Sequence, residues 1–199
     1  FVTDLKQRIQ YPEVSRIVHN IESSVSAMVS LFNALLDISR LDAGVLHANP
    51  VDFPIQSLFD RLRLEFSAAA REKNLDFSVM GSKQVVRTDP LLLERIVVNL
   101  VANAVRYTAR GGIVVGCRRQ RDAVRIEVWD SGPGVPLERQ RDIFQEFFQL
   151  SNPERDRSKG LGLGLAIVER MAKLIGTRVR LRSVVSKGSV FFLTVPLGV

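Results

Sequence analysis

The stretch ERIVVNLVANAVRYT (94–108) carries polar side chains at a spacing that places them on one face of a helix. They follow one another at i, i+4, i+7 and i+8 and belong to Asn99, Asn103, Arg106 and Tyr107. Amide oxygens are ligands that a hard cation such as Mg²⁺ accepts, and a cation held there would also hold phosphate oxygens. Arg106 suits a phosphate oxygen directly. An ordinary solvated helix face also explains this segment when it is taken alone.

A second segment, WDSGPGVP (129–136), follows a run that alternates like a β-strand. Asp130 would lie at the strand end, where a buried carboxylate accepts a hydrogen bond from an exocyclic amine such as that of adenine. Gly132 and Gly134 would let the backbone approach a flat ligand closely. Taken alone, the segment is better explained as a turn. Trp129 is expected in the core, although it could also pack near a bound base.

The third segment, SKGLGLGLAIVER (158–170), alternates glycine with leucine just before a helix. The free N–H groups of the first helical turn, aided by the helix dipole, form a cradle for an anion. The basic residues upstream, Arg155, Arg157 and Lys159, would neutralise phosphate charge. The spacing excludes a Walker loop, which needs Gly-Lys-Ser/Thr, and a dinucleotide fingerprint, which needs G-x-G-x-x-G.

The elements that must position these segments begin with a long helix over residues 13–43. Apolar residues occupy three positions of its heptad, which is typical of a helix in a bundle, so we expect a homodimer through this helix. The alternative is a long helix packed on its own domain. Pro12 suits the first turn, and Gly44 predicts the end of the helix.

The rest of the chain alternates strands and helices and predicts an α+β two-layer sandwich, a mixed sheet with helices on one face. Helices are expected at 54–73, 90–107 and 163–175. Strands are expected at 49–53, 76–79, 85–87, 113–119, 123–130, 178–184 and 189–195.

Composition and charge bound the function classes. The chain of 199 residues is 46% hydrophobic and 25% charged, which excludes disordered and fibrous proteins. Its net charge of +7 is concentrated in residues 51–199, which sum to +8, whereas residues 1–50 sum to −1. Either an anionic partner or a solvated arginine-rich surface explains this excess. The single cysteine, Cys117, excludes an intrachain disulfide and favours a reducing compartment. No apolar run approaches the roughly 18 residues that a membrane span needs.

The three segments in this order resemble the catalytic ATP-binding domain of sensor histidine kinases, within the superfamily that includes gyrase and the heat-shock chaperone ATPases. IFQEFFQ (143–149) resembles the family's phenylalanine box, and SKGSVFFLTVP (186–196) its last glycine box. LLDISRLDAG (35–44) is similar to the end of the second helix of the dimerisation and phosphoacceptor domain. The resemblance implies two parts: a partial dimerisation region at 1–47 and a catalytic domain at 48–199.

The resemblance also implies roles for individual residues. Asn99 and Asn103 would hold Mg²⁺ and phosphates, and Arg106 and Tyr107 would contact the phosphates and the nucleoside. Asp130 would bind the adenine amine, with Thr194 near the floor of that pocket. Residues 149–159 would form a mobile ATP lid. The remaining nucleotide-binding positions are Gly132, Gly134, Lys159, Gly160, Leu161, Gly162, Leu163 and Gly164.

Two departures from the family pattern refine these expectations. Hydrolysing members of the superfamily carry a general-base glutamate four residues before the first asparagine, and here that position is Arg95, with Glu94 displaced by one residue. Phosphoryl transfer to a side chain is therefore favoured over hydrolysis. No residue of the chain matches the acceptor histidine, since His19 is followed by Asn20 and His47 lies beyond the helix. We expect the acceptor helix before Phe1 and no catalytic residue within the chain.

The sequence thus predicts a histidine kinase core that binds ATP with Mg²⁺, phosphorylates an upstream histidine and serves a response-regulator receiver domain. A cytoplasmic location is expected, with no nucleic-acid partner and no membrane contact within these residues. The alternative is a non-catalytic nucleotide-binding dimerisation module with the kinase fold. A gyrase-like ATPase is disfavoured by Arg95.

Overall fold

The computed structural model describes residues 12–150 and 162–199, which form four α-helices and seven β-strands in these ranges. The helices are α1 (Pro12–Asp42), α2 (Ile55–Glu72), α3 (Pro90–Tyr107) and α4 (Gly164–Leu174). The strands are β1 (Val51–Pro54), β2 (Asp76–Val79), β3 (Val85–Thr88), β4 (Gly112–Gln120), β5 (Ala123–Asp130), β6 (Arg180–Val184) and β7 (Gly188–Pro196). Short 3-10 turns follow at Leu137–Arg139 and Asp142–Phe144. Every helix and strand predicted from the sequence is present, with ends that differ by two residues or fewer.

Helix α1 is the long helix that the heptad pattern predicts. Gly44 follows it with a φ of +65°, a left-handed conformation that glycine adopts without steric cost. Near its C-terminus Ile38 is buried in the hydrophobic core, with Leu41 packed against it. The N-terminal part instead exposes apolar side chains: Val14, Ile17, Ile21, Val25, Met28, Val29, Phe32, Leu35 and Leu36.

The main sheet has the order β2-β4-β5-β7-β6, in which β2 and β4 are parallel and the other neighbours antiparallel. Strands β1 and β3 form a separate antiparallel pair, joined to the chain end by a bridge between Val86 and Leu197. The mixed sheet predicted from the sequence is confirmed, with this two-stranded sheet as an addition.

The two faces of the main sheet differ in burial because successive side chains of a strand point to opposite sides. On the inner face Val124, Ile126 and Val128 of β5 are buried in the core that also includes residues of α2, α3 and α4. On the outer face lies Trp129, whose side chain is 44% exposed. The expectation of a core tryptophan is wrong, because Trp129 falls on the opposite side of β5 from Asp130.

Helix α3 is fixed at both ends by polar side chains. Asp89 caps its start by accepting a hydrogen bond from the Leu92 N–H at 2.9 Å, and its second oxygen accepts from the Asn49 N–H at 2.8 Å. At the other end the Lys73 ammonium donates to the carbonyls of Val105 and Arg106. These contacts set the position of the helix that carries the asparagines.

Within the described residues, no helix is both long and apolar enough to cross a bilayer.

Candidate nucleotide-binding site

Asn99 and Asn103 lie where α3 meets the start of α4. The Asn99 amide nitrogen donates to the Arg95 carbonyl at 2.9 Å, which leaves its Oδ1 as the outward-facing atom. A methyl group placed on Gly164 would lie 3.2 Å from that oxygen and 3.9 Å from the Asn103 amide nitrogen. Glycine at position 164 therefore keeps space in front of the asparagine face.

This donor set fits a hard divalent cation shared with phosphates. The Asn99 oxygen is an oriented, uncharged oxygen ligand, and Mg²⁺ is commonly held by few protein ligands together with substrate phosphates. Among the described residues no cluster of three or more histidine, cysteine, aspartate or glutamate side chains could hold a metal by itself. A cation here would need the phosphates of a nucleotide to complete its coordination.

Arg106 and Tyr107 form the last turn of α3, and both side chains are exposed. They point away from the core that Val97, Leu100 and Val101 occupy on the other side of the helix. Their position agrees with the predicted polar face, because a long cationic side chain and a phenol at a helix end can reach a ligand beside it.

Asp130 ends β5 on the inner face of the sheet and is partly buried. Its Oδ1 accepts a hydrogen bond from the Gly132 N–H at 2.9 Å, and the Ser189 N–H also donates to the carboxylate. Burial raises the pKa of the Asp130 carboxyl above its ordinary value, and the two backbone hydrogen bonds oppose this without cancelling it. The carboxylate is thus positioned by the backbone and is an acceptor in a partly desolvated place.

The turn after Asp130 contacts the end of α3. A methyl group on Gly132 would lie 2.8 Å from Asp130 Oδ1, 3.3 Å from Thr108 Oγ1 and 3.6 Å from the Tyr107 carbonyl oxygen. Glycine is therefore required here by close approach. The Thr108 side chain is buried and its hydroxyl has no hydrogen-bond partner within the described residues. The sequence analysis does not single out Thr108 as a residue of the site, because a threonine directly after a helix is ordinarily explained as its cap.

The structure does not bring Thr194 to this pocket. In the register of β5 with β7, Asp130 pairs with Ser189, whereas Thr194 pairs with Arg125, five residues along the strand. Thr194 also lies on the outer face, because its position differs from that of Ser189 by five, an odd number. The prediction that Thr194 lies near the pocket floor is wrong, and Ser189 occupies that place. Residues 188–193 of β7 are all buried, so no alternation along this strand marks Ser189.

The glycine segments are placed in part. Gly134 has a φ of +71°, and a methyl group there would lie 2.2 Å from the Val184 carbonyl oxygen. Gly162 has a φ of +70°, and its carbonyl accepts from the Phe147 N–H, which joins the phenylalanine segment to the glycine segment. Leu163 is buried in the core, so it can serve a ligand only through its backbone. Three of the predicted nucleotide-binding residues, Lys159, Gly160 and Leu161, lie outside the described residues. Most of the predicted lid, 149–159, lies outside them as well.

Glu94, the carboxylate nearest in sequence to the position of the general base, is held in an ion pair. Glu94 Oε1 accepts from Arg61 Nε of α2 at 2.8 Å, so this carboxylate is engaged on another side of α3 from Asn99. Arg95 itself is exposed and supplies its carbonyl to Asn99. The geometry therefore offers no carboxylate from Glu94 to activate water beside the asparagines.

These contacts make α3 the meeting place of all three sequence segments. The asparagine face adjoins the start of α4, and the C-terminal end adjoins the turn at Gly132. An oriented amide oxygen, a helix N-terminus and a partly buried carboxylate thus surround one region. This combination suits a ligand with phosphates at one end and an amine-bearing ring at the other.

Comparison with known proteins identifies the same region. The family model for the histidine kinase-, DNA gyrase B- and HSP90-like ATPases matches residues 88–199. The alginate biosynthesis sensor protein KinB of Pseudomonas aeruginosa is 30% identical, in an alignment that covers 97% of this chain and 33% of KinB. The chain therefore spans about a third of the length of this relative.

Solved structures agree with this match. The crystal structure of full-length ShkA in complex with AMPPNP is 27% identical, with a TM-score of 0.80, and the match covers 98% of this chain and 41% of ShkA. The complex of histidine kinase ThkA with the response regulator TrrA shares the fold, at 23% identity and a TM-score of 0.74, over 100% of this chain and 56% of ThkA. The chain belongs to the family of histidine kinase-, DNA gyrase B- and HSP90-like ATPases, and over most of its length it is similar to proteins named as histidine kinases.

Proposed function

We propose that this chain binds ATP with Mg²⁺ and transfers the γ-phosphate to a histidine outside residues 12–199, for relay to an aspartate of a response-regulator receiver. The observation that carries the proposal is the convergence of the asparagine face, the Asp130 turn and the start of α4 on one helix, α3. The complexes of ShkA with AMPPNP and of ThkA with its response regulator support both halves of the proposal.

Each group of the site has a task in this reaction. The Asp130 carboxylate accepts a hydrogen bond from the adenine amine, and Ser189 lies beside it on the inner face. Asn99, Asn103 and Arg106 bind the phosphate end. Mg²⁺ held there would neutralise charge on the β- and γ-phosphates. Because Glu94 is paired with Arg61, its carboxylate does not act as a general base that activates water. An imidazole nitrogen is therefore a better nucleophile than water in this site.

The transfer itself breaks the bond between the γ-phosphorus and its bridging oxygen and forms a phosphorus–nitrogen bond. ADP leaves with the electron pair of the broken bond. The binding energy of the adenine ring at Asp130 would serve to place the γ-phosphate for in-line attack.

We also propose that α1 forms a homodimer and that residues 1–47 and 48–199 are separate functional parts. The exposed apolar row of α1 supports the dimer, because a helix that leaves such a row in water is stabilised by a partner helix. Ile38, at the end of this helix, belongs to the core of the second part and supports a direct connection between the two.

The test is phosphoryl transfer in trans. The chain is incubated with labelled ATP and Mg²⁺ together with a separate polypeptide that carries the acceptor helix of the same parent protein. Label is expected on the acceptor with wild type and with Ser67→Ala, a control at a half-buried position of α2 whose hydroxyl donates to the Arg63 carbonyl of the same helix. Label should be lost with Asn99→Ala. ATP binding by calorimetry without any label on the acceptor would instead identify a non-catalytic nucleotide-binding module.

A further inference from the structure

The outer face of the main sheet carries a pocket that the nucleotide site does not use. It has a volume of about 710 Å³ and opens between the end of α4 and strands β5, β7 and β6. Its lining is rich in basic residues and includes Arg125, Lys173, Arg178, Arg180, Arg182 and Phe192. None of the predicted nucleotide-binding residues except the misplaced Thr194 belongs to it.

The pocket has an excess of positive charge. Among the described residues, Arg178, Arg180 and Arg182 take part in no ion pair, and all three side chains are exposed. Lys173 lies 3.6 Å from Glu169 on the surface, a contact that solvent weakens. None of the described residues that line the pocket is acidic. Surface charges that repel one another in this way are stabilised when an anion binds between them.

The floor of the pocket is held rigid by a buried carboxylate. Glu127, which is almost fully buried, accepts hydrogen bonds from Arg118 at 2.8 Å and from the Trp129 indole at 3.0 Å. Its other oxygen lies 2.7 Å from Arg125 Nε, although this N–H is not aligned for a hydrogen bond and has no other partner. Arg125 is therefore anchored by charge, with its buried Nε beside Glu127.

Arg125 is also packed flat on an aromatic ring. Its guanidinium carbon lies 3.7 Å from the centroid of the Phe192 ring, and that of Arg182 lies 5.5 Å from the same centroid. Two guanidinium groups are thus held close to one ring by cation–π contacts. Guanidinium groups bind phosphate through two parallel hydrogen bonds, and they lose little freedom when packing already fixes them.

We infer that this pocket binds a small molecule that carries two or more phosphate groups. The volume lies within the range of small-molecule sites, about 300–1,000 Å³. The three unpaired arginines call for more than one negative charge, and the planar floor of Arg125 and Phe192 favours a compact ligand over an extended acidic peptide. The site is separate from the nucleotide site, because Arg125 and Thr194 pair on the outer face whereas Asp130 and Ser189 pair on the inner face.

The test measures binding of inorganic tripolyphosphate by calorimetry, with saturating AMP present to occupy the nucleotide site, because AMP carries a single phosphate and falls outside the ligand class proposed for the pocket. The chain offers a matched pair of double variants that each remove two exposed positive charges. Arg180→Gln with Arg182→Gln lies in the pocket, and Arg71→Gln with Lys83→Gln lies elsewhere. We expect the pocket variant to weaken binding by about tenfold or more and the control variant by about twofold or less.

Two outcomes would overturn the proposal: equal weakening by both variants, which would show only the effect of net charge, or no binding by wild type. A second arm replaces tripolyphosphate with adenosine 3′,5′-bisphosphate under the same conditions. Tighter binding of the bisphosphate would identify a nucleotide as the source of the phosphates, through stacking on Arg125. Tighter binding of tripolyphosphate would identify an inorganic polyphosphate as the source. The pocket is supported whichever of the two ligands binds more tightly. Amide shifts in NMR spectra should fall on 180–184 and 190–194 and spare Asn99.

Discussion

Asn99 and Gly164 face each other across the junction of α3 and α4, so closely that a methyl group on Gly164 would lie 3.2 Å from the asparagine's Oδ1. The Asn99 amide nitrogen is held by the Arg95 carbonyl, and its oxygen therefore points to the gap in front of the second helix. This gap is the part of the site where phosphates and a cation would lie.

Asn99→Ala removes the oriented oxygen and should weaken ATP binding in the presence of Mg²⁺ by about tenfold or more, roughly 1.4 kcal/mol. The loss should be much smaller without Mg²⁺, because the oxygen acts through the cation. Calorimetric titration with and without Mg²⁺ measures both values, with Ser67→Ala as the control. Equal losses under the two conditions would contradict a role for Asn99 as a cation ligand.

Asp130→Asn should weaken ADP binding and at the same time raise the melting temperature of the ligand-free protein. Because burial raises the pKa of Asp130, its ionised form is less favourable folded than unfolded. Protonated Asp130 contributes to the free energy of unfolding in full below the pKa that this carboxyl has in the unfolded chain. The contribution is lost as the pH rises through its higher pKa in the folded protein. At neutral pH the uncharged amide of the Asp130→Asn variant does not suffer this loss of stability.

The same reasoning gives a control by pH. The melting temperatures of Asp130→Asn and wild type should converge as the pH falls below the ordinary aspartate range, since both side chains are then neutral. Differential scanning calorimetry across the acid range follows this. A gap between the two proteins that stays constant with pH would show that the carboxyl pKa is not raised.

Ser189→Val should weaken ADP binding, whereas the isosteric change Thr194→Val should leave ADP affinity within about twofold. The reason is the strand register, which places Ser189 opposite Asp130 and Thr194 opposite Arg125 on the other face. Fluorescence titration with a labelled ADP analogue compares the two variants. A larger effect of Thr194→Val would restore the original placement of that residue.

Gly188→Ala should prevent folding or cost more than about 3 kcal/mol of unfolding free energy. A methyl group there would lie 2.0 Å from the Asp130 carbonyl oxygen, and the φ of +109° adds strain. Gly176 offers a matched control, since it also has a positive φ, +74°, but has no atom within 4 Å of the added carbon. Gly176→Ala should cost only about 1–2 kcal/mol in urea unfolding.

The chain alone should accept no label from γ-labelled ATP, although it binds the nucleotide. His19 is followed by Asn20 instead of an acid that could orient its ring, and His47 lies in the exposed segment after α1. Phosphate on wild type that disappears in His19→Gln would assign the acceptor to α1.

The helices and strands could be predicted from the sequence because each carries a strong period or a terminal signal. Pro90 predicts the start of α3, and most apolar positions of that helix are buried, although Leu91 is exposed. The alternating run 123–130 likewise predicts β5. What spacing could not supply was the face that each strand residue takes in the sheet, since this depends on pairing with a distant strand.

Trp129 and Thr194 are the two residues that show this limit. Trp129 is expected in the core and Thr194 is placed in the pocket by the family resemblance, but each lies on the outer face, away from Asp130. Thr108 shows another limit, because its buried hydroxyl beside Gly132 arises only when the turn folds over the end of α3. The basic pocket could not be predicted as a unit, since its cations come from β5, β6 and α4 and from the link between the last two.

The ion pair of Glu94 with Arg61 bears on how long a bound nucleotide survives before it is used. With that carboxylate turned to α2 and an arginine at the neighbouring position, water near the γ-phosphate is not activated from this part of the helix. ATP bound here would then be hydrolysed slowly. Under the proposed function, the lifetime of the bound nucleotide would be set by how often an imidazole reaches the γ-phosphate, and hardly by the reactivity of water.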